Sequence, residues 1–274
     1  MHIVDTLIAE RAPRLASGPF WPVLRPLLYS ILDYDKARRM ADEIGPMPGQ
    51  QALDHVSRLL SVTVTGHGLE RVPAQGRVIL IANHPTGIAD GIAVYDALKT
   101  IRPDICFYAN SDAHRVAPGF GDVLIPVEWV EAKRTRDRTR HTLQETRDAM
   151  EAERALMIFP AGRLARKGRN GQLEDPVWMS SAVSMARKYQ APIIPMHLTG
   201  PSSTLFHSFD KFSQELRDIT LFHELLNKQG KAFELKIGAP IDPARLDADA
   251  VQATEALKTY IETVLPTQAE RPFA

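Results

Sequence analysis

Residues 78–91 read Val78-Ile79-Leu80-Ile81-Ala82-Asn83-His84-Pro85-Thr86-Gly87-Ile88-Ala89-Asp90-Gly91. Five apolar residues in a row are typical of a strand that is covered on both faces. This strand runs directly into a polar pair, a Pro/Gly turn and an aspartate at a predicted helix start. A buried strand, a turn and a helix form the repeating unit of an α/β fold, in which ligands bind at the carboxyl ends of the strands.

Apolar runs of strand length recur along the chain, and helical patterns lie between most of them. The predicted strands are 60–64, 78–82, 105–109, 123–127, 156–159, 192–196 and 233–237. The predicted helices are 90–99, 137–154, 177–189, 213–228 and 249–264. Strands that alternate with helices predict an α/β fold with a mostly parallel central sheet of about seven strands, flanked by helices.

The first 50 residues contain no strand pattern and are predicted to be helical. Turn residues at 46–49 end this segment, so the chain divides into an N-terminal helical segment, 1–50, and a catalytic domain, 51–274. Residues 20–32 are apolar but interrupted by two prolines and an arginine, and they are too short to span a bilayer. They fit a membrane-surface helix and a helix packed on the protein's own core equally well.

Composition narrows the classes of function. Lys+Arg and Asp+Glu both total 33, and this zero net charge disfavours a dedicated nucleic-acid binder. A single cysteine, Cys106, excludes an intrachain disulfide. The nine histidines form neither a His-x3-His pair nor a Cys/His cluster, so we expect no metal site. The N-terminus lacks the pattern of a secretion signal, which predicts a cytoplasmic location.

His84 and Asp90 are the candidate catalytic pair. An imidazole at a strand end is suited to act as a general base, provided that a partner orients its second ring nitrogen. Asp90 is the nearest carboxylate, but six positions along a continuous helix would place it on another face. The two side chains meet only if the chain turns back, and Pro85 with Gly87 favours such a turn. The spacing alone is a weak signal, because a histidine beside a turn is more often structural.

The segment from Asn83 to Gly91 resembles the first motif of the lysophosphatidic acid/glycerophosphate acyltransferase family, in its bacterial haemolysin-like branch. Three further blocks agree with the family in order and spacing. Residues 121–127 resemble the second motif, 159–163 the third and 192–195 the fourth. The resemblance therefore extends over roughly residues 60–200.

The resemblance implies both a mechanism and a set of site residues. His84 would remove the proton from a lysolipid hydroxyl, and Asp90 would orient the imidazole, without a metal or a cofactor. The acyl donor would be acyl-CoA or acyl-carrier protein. Backbone amides at the start of the following helix are candidates for stabilising the oxyanion. Substrate contacts within the first and third motifs are expected from Asn83, Thr86, Gly87, Pro160, Gly162 and Arg163.

The sequence departs from the family at the residues that hold the acceptor's phosphate. Ala161 stands where the third motif has glutamate, Arg163 and Leu164 replace its threonine and arginine, and the terminal arginine of the second motif is missing. We therefore expect a lyso-aminolipid, such as a lyso-ornithine-type lipid, or another lysophospholipid as acceptor, with lysophosphatidate close behind.

Two basic clusters, residues 133–140 and 163–169, are candidates to replace the lost contacts. Arginine forms planar, bidentate hydrogen bonds with phosphate and carboxylate groups, so Arg134 and Arg166 join Arg163 as predicted substrate-binding residues. The clusters also suit an acidic carrier protein or an anionic membrane surface. A solvated basic surface without a partner is the alternative.

These observations predict an acyltransferase of membrane lipid biosynthesis, peripheral or monotopic on the cytoplasmic face of the inner membrane. A thioester or lipid hydrolase that uses the same His–Asp pair with water is the first rival. The absence of Gly-x-Ser-x-Gly counts against its serine version. A non-catalytic protein that binds anionic membrane or nucleic acid through its arginines is the second.

Overall fold

A seven-stranded sheet forms the centre of the computed structural model, which describes residues 1–128, 135–168 and 173–274. The strands of this sheet are β1 (Thr63–His67), β2 (Val78–Ala82), β3 (Cys106–Asn110), β4 (Leu124–Val127), β5 (Ala155–Ile158), β8 (Ile193–Thr199) and β9 (Ala232–Ile237). Two short strands, β6 (Arg166–Lys167) and β7 (Leu173–Glu174), form a separate antiparallel pair.

The strand order of the sheet is β1-β9-β8-β2-β5-β3-β4. All neighbouring strands are parallel except β8 and β9. β2, the strand of the opening stretch, is central: Val78 pairs with Ala155 of β5, and Ile79 pairs with Ile193 of β8. The prediction of a mostly parallel sheet of about seven strands is confirmed.

Helices precede the sheet and cover both of its faces. The N-terminal helices are α1 (Ile3–Arg11), α2 (Pro13–Ser17), α3 (Trp21–Ile31), α4 (Tyr34–Ile44) and α5 (Gly49–Leu60). The later helices are α6 (Ile88–Leu98), α7 (Asp112–Val116), α8 (Arg136–Glu151), α9 (Ser181–Tyr189), α10 (Thr204–Phe212), α11 (Gln214–Asp218), α12 (Leu221–Leu226) and α13 (Ala250–Thr259).

Two hydrophobic cores lie on opposite faces of the sheet, because successive residues of a strand point to opposite sides. Leu80 of β2 packs in one core with residues of α1, α4, α5 and α6. Ile79 and Ile81 pack in the other core with residues of α8, α9 and α13. The N-terminal helices thus share a core with the sheet, as the burial of Val4 and Leu7 in α1 shows.

The entry into the sheet differs from the predicted strand 60–64. Leu60 is the last residue of α5, and Ser61 ends this helix with a left-handed φ of 45°. Strand β1 therefore begins only at Thr63. The predicted division after residue 50 falls inside α5, so the N-terminal helical region extends to Leu60.

Helix α3 has one packed side and one exposed side. Leu28 is buried, and Tyr29 packs against Tyr34 with ring centroids 4.0 Å apart. The exposed apolar residues of α3 and of the position before it are Phe20, Val23, Leu24, Leu27 and Ile31. Among the described residues, no helix has the length and apolar character needed to cross a membrane.

Candidate active site

The carboxyl end of β2 is fixed by the side chain of Asn83. Its Nδ2 donates to the carbonyl oxygen of Leu198 at 2.9 Å, and its Oδ1 accepts from the amide of Leu198 at 2.7 Å. Leu198 belongs to β8, the parallel neighbour of β2. The side chain of Asn83 thus continues the pairing of these strands beyond their last backbone contact and sets the point at which the chain leaves the sheet.

The chain then turns sharply before α6. Gly87 has φ = 93°, a conformation that L side chains rarely adopt, and a Cβ there would lie 3.0 Å from Leu164. Asp90 is the third residue of α6 and reaches back over the helix start. Its Oδ2 accepts from the amides of Thr86 at 2.9 Å and Gly87 at 3.0 Å. A carboxylate in the first helical turn is favoured because it pairs with otherwise unbonded amides.

This turn brings His84 and Asp90 together. His84 Nδ1 lies 2.8 Å from Asp90 Oδ2, and the hydroxyl of Thr86 donates to Asp90 Oδ1 at 2.5 Å. Asp90 is fully buried at 0% exposure, so its four donors replace the water it has lost. Because a carboxylate only accepts hydrogen bonds, Nδ1 carries the proton and Nε2 is left as the basic nitrogen. The His84 side chain keeps 16% of its surface exposed, which leaves the ring accessible.

The imidazole also packs against the third motif. The rings of His84 and Phe159 stack with centroids 4.4 Å apart and planes inclined by 23°. The chain after Phe159 turns tightly: the amide of Gly162 donates to the carbonyl of Phe159 at 3.0 Å, and Gly162 has φ = 61°. The carbonyl of Pro160 accepts from the amide of Met179 at 3.0 Å. The motif thus shapes the loop beside the histidine.

A second carboxylate, Asp175, contacts the main chain of the histidine. The amide of His84 donates to both oxygens of Asp175, at 3.1 and 3.2 Å, and Trp178 Nε1 donates to Oδ2 at 3.0 Å. The carbonyl of His84 accepts from the amide of Ala165 at 3.0 Å. Burial, at 6% exposure, raises the pKa of Asp175 to about 6, although attraction to His84 and the Trp178 hydrogen bond act in the opposite direction.

The predicted substrate-binding residues have diverse surroundings. The side chains of Asn83 and Thr86 and the amide of Gly87 are engaged within the site, and Arg163 and Arg166 are exposed. Arg134 lies outside the described residues. Substrate contact by any of these residues stays a prediction.

Oxyanion stabilisation by amides at the start of α6 stays a prediction, and the amides of Thr86 and Gly87, which precede the first residue of this helix, are already engaged. Both amides donate to Asp90, because the turn points them at its carboxylate. Sequence reasoning missed Asp175, which lies far along the chain and bonds to a main-chain amide. No spacing pattern marks such a contact.

The described residues contain no group of three or more His, Cys, Asp or Glu side chains that is arranged to hold a metal ion. The groups with acid–base chemistry at the site are the imidazole and its two carboxylate neighbours. A basic imidazole nitrogen beside an accessible face, oriented by a buried carboxylate, is the arrangement of a general-base catalyst.

The fold is α/β, and the His–Asp pair lies at the end of a central strand. Together with the family comparison, these features define an enzyme of the acyl-transfer class. The family model described as Acyltransferase matches residues 63–199, which is half of the chain. The chain belongs to the Acyltransferase family, and the protein is an acyltransferase.

Curated relatives and a solved structure agree with this assignment. The lyso-glycine lipid O-acyltransferase of Phocaeicola vulgatus is 25% identical over 203 residues, which cover 70% of this chain and 69% of the relative. The protein of the same name from Bacteroides thetaiotaomicron is 21% identical over 269 residues, covering 96% and 95%. The crystal structure of the 1-acyl-sn-glycerophosphate (LPA) acyltransferase PlsC from Thermotoga maritima shares the fold, with a TM-score of 0.52 and 14% identity over 80% of each chain.

Replacing Gly87 by alanine tests whether the turn sets the His–Asp geometry. We expect Gly87→Ala to lower stability by about 1–3 kcal/mol, because alanine is strained at this φ and its Cβ would crowd Leu164. Acyl transfer should fall by roughly tenfold or more, since small displacements of catalytic groups are costly. Thermal unfolding and steady-state rates measure the two effects.

The matched control is Gly91→Ala, in α6 beside the same site. A Cβ at Gly91 meets no atom within 4 Å, and alanine favours a helix over glycine by up to about 1 kcal/mol. We expect this variant to keep its activity and to gain stability. Equal behaviour of the two variants would show that the conformation of Gly87 does not matter to the site.

Proposed function

We propose that the protein is a lysolipid O-acyltransferase in which His84 is the general base and Asp90 orients it. The observation that carries the proposal is the 2.8 Å contact between an accessible imidazole and a fully buried carboxylate, within the segment that matches the Acyltransferase family. The two curated relatives are lyso-glycine lipid O-acyltransferases, which supports a lysolipid hydroxyl as the acyl acceptor.

The proposed reaction is a direct acyl transfer. The Nε2 atom of His84 takes the proton of the acceptor hydroxyl while that oxygen attacks the carbonyl carbon of an acyl thioester. The bond between carbon and sulfur then breaks, and the thiolate leaves and recovers the proton from the imidazolium. Asp90 stabilises the positive charge that the ring carries between the two proton transfers. The products are the acylated lipid and the free thiol of coenzyme A or of acyl-carrier protein.

The acceptor in this proposal is a lyso-aminolipid with a carboxylate headgroup, such as a lyso-glycine lipid. An amino acid that is joined to an acyl chain through its nitrogen keeps a free carboxylate, which a guanidinium binds with two parallel hydrogen bonds. Arg163, the last residue of the third motif, and Arg166, the first residue of β6, are exposed, and both are close in sequence to Ala165, whose amide donates to the carbonyl of His84. Ala161 stands where the family's third motif has glutamate, and its side chain is buried in the core.

The enzyme is further proposed to act at a membrane surface, on the cytoplasmic face of the inner membrane. The exposed apolar side of α3 supports this location, since its substrates are lipids and a monomeric protein rarely exposes a continuous apolar patch. Phe20 and Val23 are 73% and 75% exposed. Arg25 lies on the same helix, 5.9 Å from the ring centre of Tyr29, and would attract anionic headgroups.

Removal of the base tests the mechanism. We expect His84→Ala to lower kcat by about 10²–10⁴-fold, which is the usual contribution of a placed general base. Asp90→Asn should also lower kcat, because the amide nitrogen of asparagine would face groups that donate hydrogen bonds to the carboxylate. The loss should be similar to that of His84→Ala or smaller, because Asp90 acts through the imidazole. The double variant should lose no more than His84→Ala, since the two residues act as one unit.

Rates are measured as thiol release in the presence and absence of lysolipid, with circular dichroism as a check of folding. Release that depends on the lysolipid supports transfer, whereas free fatty acid formed at the same rate without lysolipid would identify a hydrolase. A folded His84→Ala protein that transfers acyl groups at the wild-type rate would refute the mechanism.

Competition among acceptors tests the headgroup. With one acyl donor, we expect a higher kcat/KM for lyso-glycine lipid than for lysophosphatidate. Arg163→Ala should lower kcat/KM for the aminolipid by about tenfold or more, because a charged hydrogen bond is lost. Arg245→Ala, an exposed arginine in the short helical turn Pro243–Arg245, is the control and should change nothing. Preference for lysophosphatidate with an inert Arg163→Ala would exclude a carboxylate site at this arginine.

Vesicle binding tests the membrane role of α3. We expect full-length protein to sediment with anionic vesicles and Leu27→Glu to bind far more weakly, because a charge on the exposed side resists burial in lipid. Val251→Glu, at a similarly exposed apolar position of α13, should bind like wild type. Binding of wild type should weaken at high salt. If wild-type protein does not bind at low salt, α3 has another role.

A further inference from the structure

We propose that Asp175 is a positioning residue for acyl transfer, which holds the main chain of His84 so that the imidazole meets Asp90 and the acceptor hydroxyl in the correct orientation. This inference rests on the proposed function of His84 as the base. Asp175 lies outside the first and third motifs. It acts through the main chain of His84 and not through the imidazole ring.

The carboxylate of Asp175 accepts hydrogen bonds from the amide of His84 and from the indole of Trp178. The amide of His84 lies 3.1 and 3.2 Å from the two oxygens, so one donor is shared by the whole carboxylate. Trp178 Nε1 donates to Oδ2 at 3.0 Å. On the other side of the residue, the carbonyl of His84 accepts from the amide of Ala165. The main chain of His84 is thus held from both sides by residues that flank the β6–β7 pair.

Asp175 takes the place of a missing strand partner. The last backbone pairs of β2 are Ala82 with Met196 of β8 and Ile81 with Ile158 of β5. His84 lies beyond both, where its amide has left the ladder but is still partly buried. A buried amide without an acceptor is costly, and the carboxylate supplies one. The position of His84 is therefore set by a side chain from a distant part of the chain.

A charged acceptor suits this position better than a neutral one. Hydrogen bonds from backbone amides to a carboxylate are stronger than those to neutral oxygens. The carboxylate is only 6% exposed, and the folded protein holds it there despite the cost of burial, which raises its pKa to about 6. A residue that served packing alone would gain nothing from a charge.

Glu262 and Lys258 are further ionisable groups near the main chain of Asp175. Glu262 Oε1 accepts from the amide of Asp175 at 3.2 Å, and Lys258 pairs with Glu262 at 2.9 Å. Burial is the largest cause of the raised pKa of Asp175; the charge of Glu262 raises this pKa as well, whereas the interactions with His84 and Trp178 lower it.

The experiment compares Asp175→Asn with Trp178→Phe. Asparagine keeps the volume, but its single oxygen must serve both His84 and Trp178 while its amide nitrogen faces a donor. We expect kcat to fall by about 10–100-fold, with KM for donor and acceptor within about threefold of wild type. Trp178→Phe leaves the contact with His84 intact, so its kcat should stay within about threefold even where its Tm falls as much as that of Asp175→Asn.

The double variant Asp175→Asn/Trp178→Phe provides a rescue. Without the indole donor, the asparagine can turn its oxygen to the amide of His84, and kcat should recover above that of Asp175→Asn. A purely structural role would make the double variant the worst of the three. The amide proton shift of His84 in NMR spectra reports the same contact without turnover: it should move upfield in Asp175→Asn and stay in Trp178→Phe.

Two results would overturn the inference. One is a wild-type kcat in Asp175→Asn, and the other is a loss of kcat that follows the loss of Tm equally in both single variants. The His84→Ala variant separates this inference from the proposed function. If His84→Ala is fully active, His84 is not the general base and the proposed function is refuted. If His84→Ala is inactive and Asp175→Asn is fully active, only the role of Asp175 is refuted.

Discussion

The burial of one carboxylate, Asp90, is the constraint on which the active site depends. A carboxylate without contact with water needs several donors, and its four donors described above belong to His84, Thr86 and Gly87. To bring those donors to one point, the chain must turn back on itself directly after β2. The left-handed conformation of Gly87 and the early start of α6 follow from that requirement. The same turn holds the imidazole with Nε2 as its basic nitrogen.

Local contacts fix the ring of His84, whereas distant contacts fix its main chain. Asp90 is six positions away, and its approach depends only on the turn. Ala165 and Asp175 are far along the chain and reach His84 because β5, which leads to them, lies beside β2 in the sheet. A base that is held in both ways loses little orientational freedom when substrate binds, which is the usual source of a large effective concentration.

This division explains how much of the protein was predictable from its sequence. Periodicity identified β2 and the alternation of strands and helices, because unbroken apolar runs are required wherever a parallel sheet is covered on both faces. The meeting of His84 with Asp90 was anticipated from Pro85 and Gly87, whose backbone preferences are local. The predicted strand begins at residue 60, three residues before the observed start of β1 at Thr63. The alternation of apolar residues does not reveal that Ser61 ends α5 with a positive φ.

Several contacts that escaped prediction involve the main chain. The amides of Thr86 and Gly87 donate to Asp90, and the amide of His84 donates to Asp175. Main-chain donors carry no sequence signature, so their partners emerge only when the fold is known. Asp175 has the appearance of an ordinary loop residue before a proline, and its relation to His84 depends on the arrangement of whole strands.

The same division accounts for the departures from the family's third motif. Phe159 stacks on His84, and Pro160 with Gly162 forms the turn beside it, so these positions support the base. Ala161 is buried, and Arg163 is exposed. Under the proposed function, this arginine contacts the acceptor, whereas Phe159 stays stacked on the histidine. In that proposal the two roles are separate, because the residue that packs on the imidazole and the residue that binds the headgroup are different members of one short motif.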